Sequence, residues 1–144
     1  MKGSDSMLKN VTDNELLKII MLTYLSFLLI ARGVFFLSMD YSTMIDSDFY
    51  NAIDSNTSLT LIGILPIVSG ILILTTAFSN TTQSHLLFLF ANIIAVIVYF
   101  VFSEAGMQHG LNWWTPFSNA LNLSVHVILI LWSVFIIWTK KKTT

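Results

Sequence analysis

The chain has 144 residues, 55% of them hydrophobic and only 10% charged, with a mean hydropathy of +0.76. A water-soluble domain carries about 25% charged residues, so most of this surface is expected to face lipid instead. A formal charge of −1, with no basic patch beyond a short C-terminal run, argues against nucleic-acid binding, and the lack of cysteine excludes disulfides, thiolate metal sites and cysteine redox chemistry.

Residues 1–15 read as an N-terminal segment ahead of the membrane. Thr12 and Glu15 have the T-x-x-E spacing of a capping box, a usual start signal for a helix. The first apolar segment follows, over about residues 16–37. Where a signal peptide would show a small-residue cleavage site, this chain has Arg32, Met39 and Asp40, so a retained membrane helix is predicted. Further segments lie over about 58–78, 85–102 and 118–138. Crossing a hydrocarbon core takes roughly 20 helical residues. None of the segments shows the period-two alternation of a barrel strand, and a helix satisfies its own backbone in lipid. The predicted fold is therefore all-α, a polytopic four-transmembrane-helix bundle over residues 16–138 with a basic tail at 139–144.

The connectors orient it. Residues 38–57 hold Asp40, Asp46, Asp48 and Asp54 and no Lys or Arg; residues 79–84 form a short uncharged turn; residues 103–117 carry Glu104, His109, Trp113, Trp114 and Pro116. With four spans, Lys2, Lys9, Lys18, Lys140, Lys141 and Lys142 all fall on one side. The positive-inside rule then places both termini in the cytoplasm of a multi-pass cell-membrane protein, with Trp113 and Trp114 at the outer interface and Trp138 at the inner one. The acidic loop places Ile45, Phe49, Ala52 and Ile53 at helical spacing, which predicts a short amphipathic helix lying on the outer surface. Asp46-Ser47-Asp48 begins like a calcium loop but lacks its glycine and closing glutamate.

Candidate functional positions are Arg32, Glu104, Asn119, Asn122 and His126. Arg32 lies about five residues inside the first span, where a charge is costly. It either snorkels to headgroups or pairs with Asp40 or Glu104, or it faces the bundle as a site for an anion, a lipid headgroup or a partner. Asn119, Asn122, His126 and Ser133 are three, four and seven residues apart and share a helical face. Such a stripe glues helices together in lipid, with Asn92 and Ser69 as possible contributors; alternatively it forms a polar path with His126 as a titrating group. In the second span, Gly63 and Gly70 share a face for close packing, and Pro66 predicts a kink. His85, His109 and His126 fall at different depths without metal-site spacing. No catalytic residue, cofactor site or metal ligand set is identified, and no cofactor is expected.

Arg32-Gly33 near the outer end of the first span, an outer loop with Tyr50 and Ile53, and a glycine-containing second span together resemble small four-helix membrane proteins encoded by phages and mobile elements of Gram-positive bacteria. The resemblance covers about residues 16–140 and implies no particular activity; the uncharged helices, short inner turn and acidic outer loop shaped for contact predict an accessory or immunity-type membrane factor. It would be non-enzymatic and act on another membrane component or on itself. Two features are similar to holins: the paired starts Met1-Lys2 and Met7-Leu8-Lys9, and the basic tail after Trp138, which imply a pore former as one alternative. The four-helix organisation is also similar to DoxX-like subunits of membrane oxidoreductases, which implies a second.

Overall fold

The computed structural model describes residues 13–39, 47–56, 58–79, 81–109 and 112–142. These form five helices: α1 Asp13–Ser38, α2 Asp48–Asn56, α3 Leu59–Ala77, α4 Thr82–His109 and α5 Trp114–Lys142. The four long ones are each long and apolar enough to cross a membrane, and the protein is an all-α four-helix membrane bundle. At about 1.5 Å per residue, the 19 residues of α3 only just match a hydrocarbon core of about 30 Å. The 28 residues of α4 and 29 of α5 overhang it.

That overhang carries two helices past the predicted spans. The helix of the third span, α4, continues past residue 102 to His109, so Glu104 and His109 lie on a helix and not in a loop. The fourth runs through Lys142, which makes Lys140 and Lys141 part of the helix rather than of a separate tail. Hydropathy marks where the lipid-facing stretch stops. Helical hydrogen bonding continues past it, until a cap ends it. Thr81 Oγ1 accepts the Ser84 backbone N–H at 3.1 Å and starts α4, while Asn112 Oδ1 accepts the Thr115 N–H at 3.1 Å and starts α5. For α1, Thr12 lies outside the described residues.

The closely packed neighbours run in an arc, α1 on α3, α3 on α4 and α4 on α5. On the α1–α3 seam, Ser26 Oγ donates to the Gly70 carbonyl at 2.7 Å. One heptad further along, Gly33 meets Gly63, where an added Cβ would lie 2.5 Å from the Gly63 carbonyl oxygen. The pairs Ser26–Gly70 and Gly33–Gly63 keep a single antiparallel register, and small residues at both levels let the backbones approach. α3 continues without a break through Pro66, which is fully buried.

Two apolar clusters fill the interior. Leu22, Leu29, Ile73, Ala77, Phe88, Ala91, Ala95 and Tyr99 lie toward the end that carries the termini. Phe36, Ile53, Ile62, Val98, Phe102 and Ala105 lie toward the opposite end, beneath α2. The helix predicted from Phe49, Ala52 and Ile53 exists, although Ile45 falls outside the described residues. It does not rest on the outer surface as expected: Ile53 is 0% exposed and Phe49 and Tyr50 pack on the second cluster. Burying one aliphatic and two aromatic side chains favours a plug over an adsorbed helix, because the open end of the bundle offers apolar surface that headgroups do not. Asp54 of this plug accepts the Leu59 N–H at 3.3 Å, tying α2 to the start of α3.

Candidate functional site

Several polar side chains bond between helices inside the bundle. Ser69 Oγ on α3 donates to the Ala91 carbonyl on α4 at 2.8 Å. On α4, the Asn92 amide Nδ2 donates to the Phe88 carbonyl at 2.7 Å, which leaves Asn92 Oδ1 as an acceptor. His126 Nδ1 on α5 meets that oxygen at 2.7 Å and must therefore carry the hydrogen. The imidazole also stacks on Tyr99, 5.5 Å between centroids and 21° between planes. Asn92 and His126 are 0% and 1% exposed. No fully buried side-chain nitrogen or oxygen among the described residues lacks a hydrogen-bond partner, as a membrane interior requires.

Of the predicted stripe, Asn119, His126 and Ser133 are buried. Asn122 does not join them. It is half-buried, and its Nδ2 returns to the Ser118 carbonyl of its own helix at 2.8 Å. Ser133 likewise bonds back, to Leu129 O at 2.7 Å. The inward-facing set is thus spaced by seven, and Asn119 and His126 are the members that reach other helices.

Arg32 occupies the seam between α1 and α5. Its Nη1 donates to Asn119 Oδ1 at 2.8 Å, and Asn119 Nδ2 donates onward to the Phe102 carbonyl of α4 at 3.3 Å. The guanidinium carbon lies 5.0 Å from the Tyr99 ring centroid and 4.9 Å from that of Phe102, a cation–π arrangement. Phe102 in turn stacks on Phe36 at 4.8 Å. The expected pairing with Glu104 does not form: Glu104 is exposed on α4, away from the guanidinium. Asp40, the other expected partner, lies outside the described residues. Of the five predicted positions, Arg32 and Asn119 come together, His126 belongs to the same polar chain through Tyr99, and Asn122 and Glu104 stand apart.

A cavity of about 290 Å³ opens beside Arg32, between α1, α2, α4 and α5. Arg32, Tyr50, Thr115 and Asn119 supply its polar wall, and Phe35, Phe36, Phe49 and Phe102 its apolar wall. Asn119 spends both ends of its amide on Arg32 and Phe102. A guanidinium has five N–H donors, so Arg32 keeps hydrogen-bonding capacity beyond Asn119. Burial pushes the Tyr50 phenol above its usual range, which keeps its hydroxyl protonated at neutral pH. None of the described residues lining the cavity is acidic. Among the described residues, no three of His, Asp or Glu gather as a metal cluster.

Sequence reasoning found the charge and the amide but not the cavity wall. Tyr50 and Phe49 reach it through the α2 plug, and Thr115 through the first turn of α5. Ser26 was also not singled out; its spacing of seven from Gly33 was the available signal. The chain matches no family model, no curated protein and no solved structure.

Proposed function

We propose that this chain is a small, non-enzymatic integral membrane protein that acts by contact with another membrane component, held at the seam between α1 and α5. One observation carries this reading. Arg32, opposed by no carboxylate among the described residues, opens onto a cavity of about 290 Å³ between two helices outside the closely packed pairs. A purely structural arginine would be closed in by packing, paired with an acid or snorkelled to the headgroups, whereas this one is held by Asn119 beside the cavity. The surroundings agree: only 11% of the apolar stretch of α5 is buried, against 44% for α4. The helix that flanks the cavity thus offers most of its surface to lipid or to a neighbour.

An accessory or immunity-type role in the cell membrane, with both termini in the cytoplasm, fits this arrangement, as does an origin in a phage or mobile element of Gram-positive bacteria. The pore-forming alternative needs Asn119, Asn122 and His126 to line a lumen. Here Asn119 and His126 are buried and bonded within one chain and Asn122 bonds to its own helix, which favours the contact reading.

Photo-crosslinking tests it. A photoreactive residue at Phe35 or Thr115, beside the cavity, is expected to give a discrete adduct in native membranes. The same residue at Ile97, exposed on α4, should give only diffuse lipid labelling. Identical patterns at all three positions would remove the reading.

A further inference from the structure

The chemistry of the α1–α5 cavity specifies its occupant more narrowly than "a membrane component". Among the described residues its one charged group is a guanidinium, which favours an oxyanion and binds phosphate with a planar fork of donors. Thr115, on the same wall, belongs to the first turn of α5, where the helix dipole adds positive potential. The opposite wall is phenylalanine, which suits hydrocarbon. At about 290 Å³, the space sits at the small end of ligand pockets, which span about 300–1,000 Å³. It holds a headgroup and the start of a chain, not a whole lipid.

Depth agrees with this. Trp113 and Trp114 are exposed at 74% and 57%, and form an edge-to-face pair 5.7 Å apart at the start of α5. Exposed tryptophans mark the headgroup boundary of a membrane. Asn119, the Arg32 partner, is five residues further along α5, about 7.5 Å inward at the helical rise. A phosphate at the boundary therefore comes within reach of the guanidinium that Asn119 holds.

Resting on the contact reading above, we infer that the Arg32 cavity binds the phosphate headgroup of an anionic phospholipid, with the four phenylalanines receiving the first part of its hydrocarbon. Arg32 forms the charged contact, Tyr50 supplies a neutral donor, and Asn119 holds the guanidinium in place.

The test is native mass spectrometry of the full chain, released from bilayers of mixed phosphatidylglycerol and phosphatidylcholine. Preferential retention of one phosphatidylglycerol is expected. Arg32→Gln should weaken it about tenfold, the scale of losing one charge-assisted hydrogen bond, and Arg32→Lys should recover part of it. Thr115→Phe supplies the independent variant. It keeps the charge and the backbone cap from Asn112 but fills the cavity, and should also lose the lipid. Thermal unfolding in neutral detergent, run in parallel, separates lipid loss from misfolding.

Equal retention of the two lipids overturns the inference, as does undiminished retention in a folded Arg32→Gln or Thr115→Phe protein. Displacement by inorganic phosphate would also overturn it, by making the site one for free oxyanions. A crosslinked protein at Phe35 or Thr115 in place of lipid refutes the phospholipid but leaves the contact reading standing. The absence of any seam-specific adduct removes both.

Discussion

Inside this bundle a buried polar side chain is tolerated because it has a hydrogen-bond partner, and where that partner lies on another helix the cost of removing it is measurable. His126 and Asn92 share a 2.7 Å bond at a level where neither is more than 1% exposed. Replacing Asn92 by Ala leaves the His126 Nδ1–H without its acceptor, and a buried donor left unsatisfied costs about 1–3 kcal/mol. The expected loss in a detergent unfolding titration lies in that range. In a cycle with His126→Ala, the coupling should be positive and about 0.6 kcal/mol, up to about 1.7 kcal/mol, as for other interhelical bonds in membranes. Additive single mutants would show that the bond contributes nothing. Asn122→Ala makes a sharp contrast: its amide bonds only to Ser118 O of its own helix. It should change stability by no more than about 0.5 kcal/mol, although a helical wheel puts it on the same face as Asn119.

Among the elements, the α1–α3 pair depends most on shape. A Cβ at Gly33 would meet the Gly63 carbonyl oxygen at 2.5 Å, and one at Gly70 would meet the Ser26 carbonyl at 2.8 Å. Neither oxygen can move without shifting a helix. At Gly63 the obstruction is instead Leu37 Cδ2 at 2.7 Å, the tip of a flexible and partly exposed side chain. Gly33→Ala and Gly70→Ala should therefore each cost about 1–3 kcal/mol by overpacking, while Gly63→Ala should cost less than either. The order of the three midpoints in one unfolding series checks this; a Gly63→Ala protein less stable than Gly33→Ala would contradict the geometry. α2 contributes differently. Ile53 is fully buried beneath it, so Ile53→Ala should cost about 2–5 kcal/mol and expose α2 to protease first.

At the scale of the molecule, the arc of helices brings Lys18 of α1 and Lys140 of α5 to one end, and α2 with Trp113 and Trp114 to the other. The orientation proposed above, drawn from the charge bias, puts the lysine end in the cytoplasm. The chain contains no cysteine, so single-cysteine variants report topology without background. Asp48→Cys and Asn112→Cys are expected to react with a membrane-impermeant maleimide in intact cells, and Lys141→Cys only after lysis. The reverse pattern would invert the orientation, and labelling of Asp48 and Asn112 from different sides would break the topology.

Much of this was legible in the residues because lipid leaves few solutions. Long apolar runs must be helices that satisfy their own backbones, and the short uncharged segment at residues 79–84 predicts an antiparallel pair. Helix number, fold class and the polar face of α5 around Asn119 and His126 followed from periodicity and composition alone. What the sequence could not specify was partnership. Arg32 had two acidic candidates in the outer connectors, Asp40 and Glu104, and pairs with neither Glu104 nor another described acid. It took Asn119, 87 residues away, because the arc of helices brings α5 back beside α1. The α2 segment has the pattern of a surface helix, yet Ile53 is buried, since only the assembled bundle offers an apolar opening for it to fill. Composition and period determine which surfaces must leave water; which side chains then meet, and where a cavity is left between them, is settled by long-range packing that no local pattern encodes.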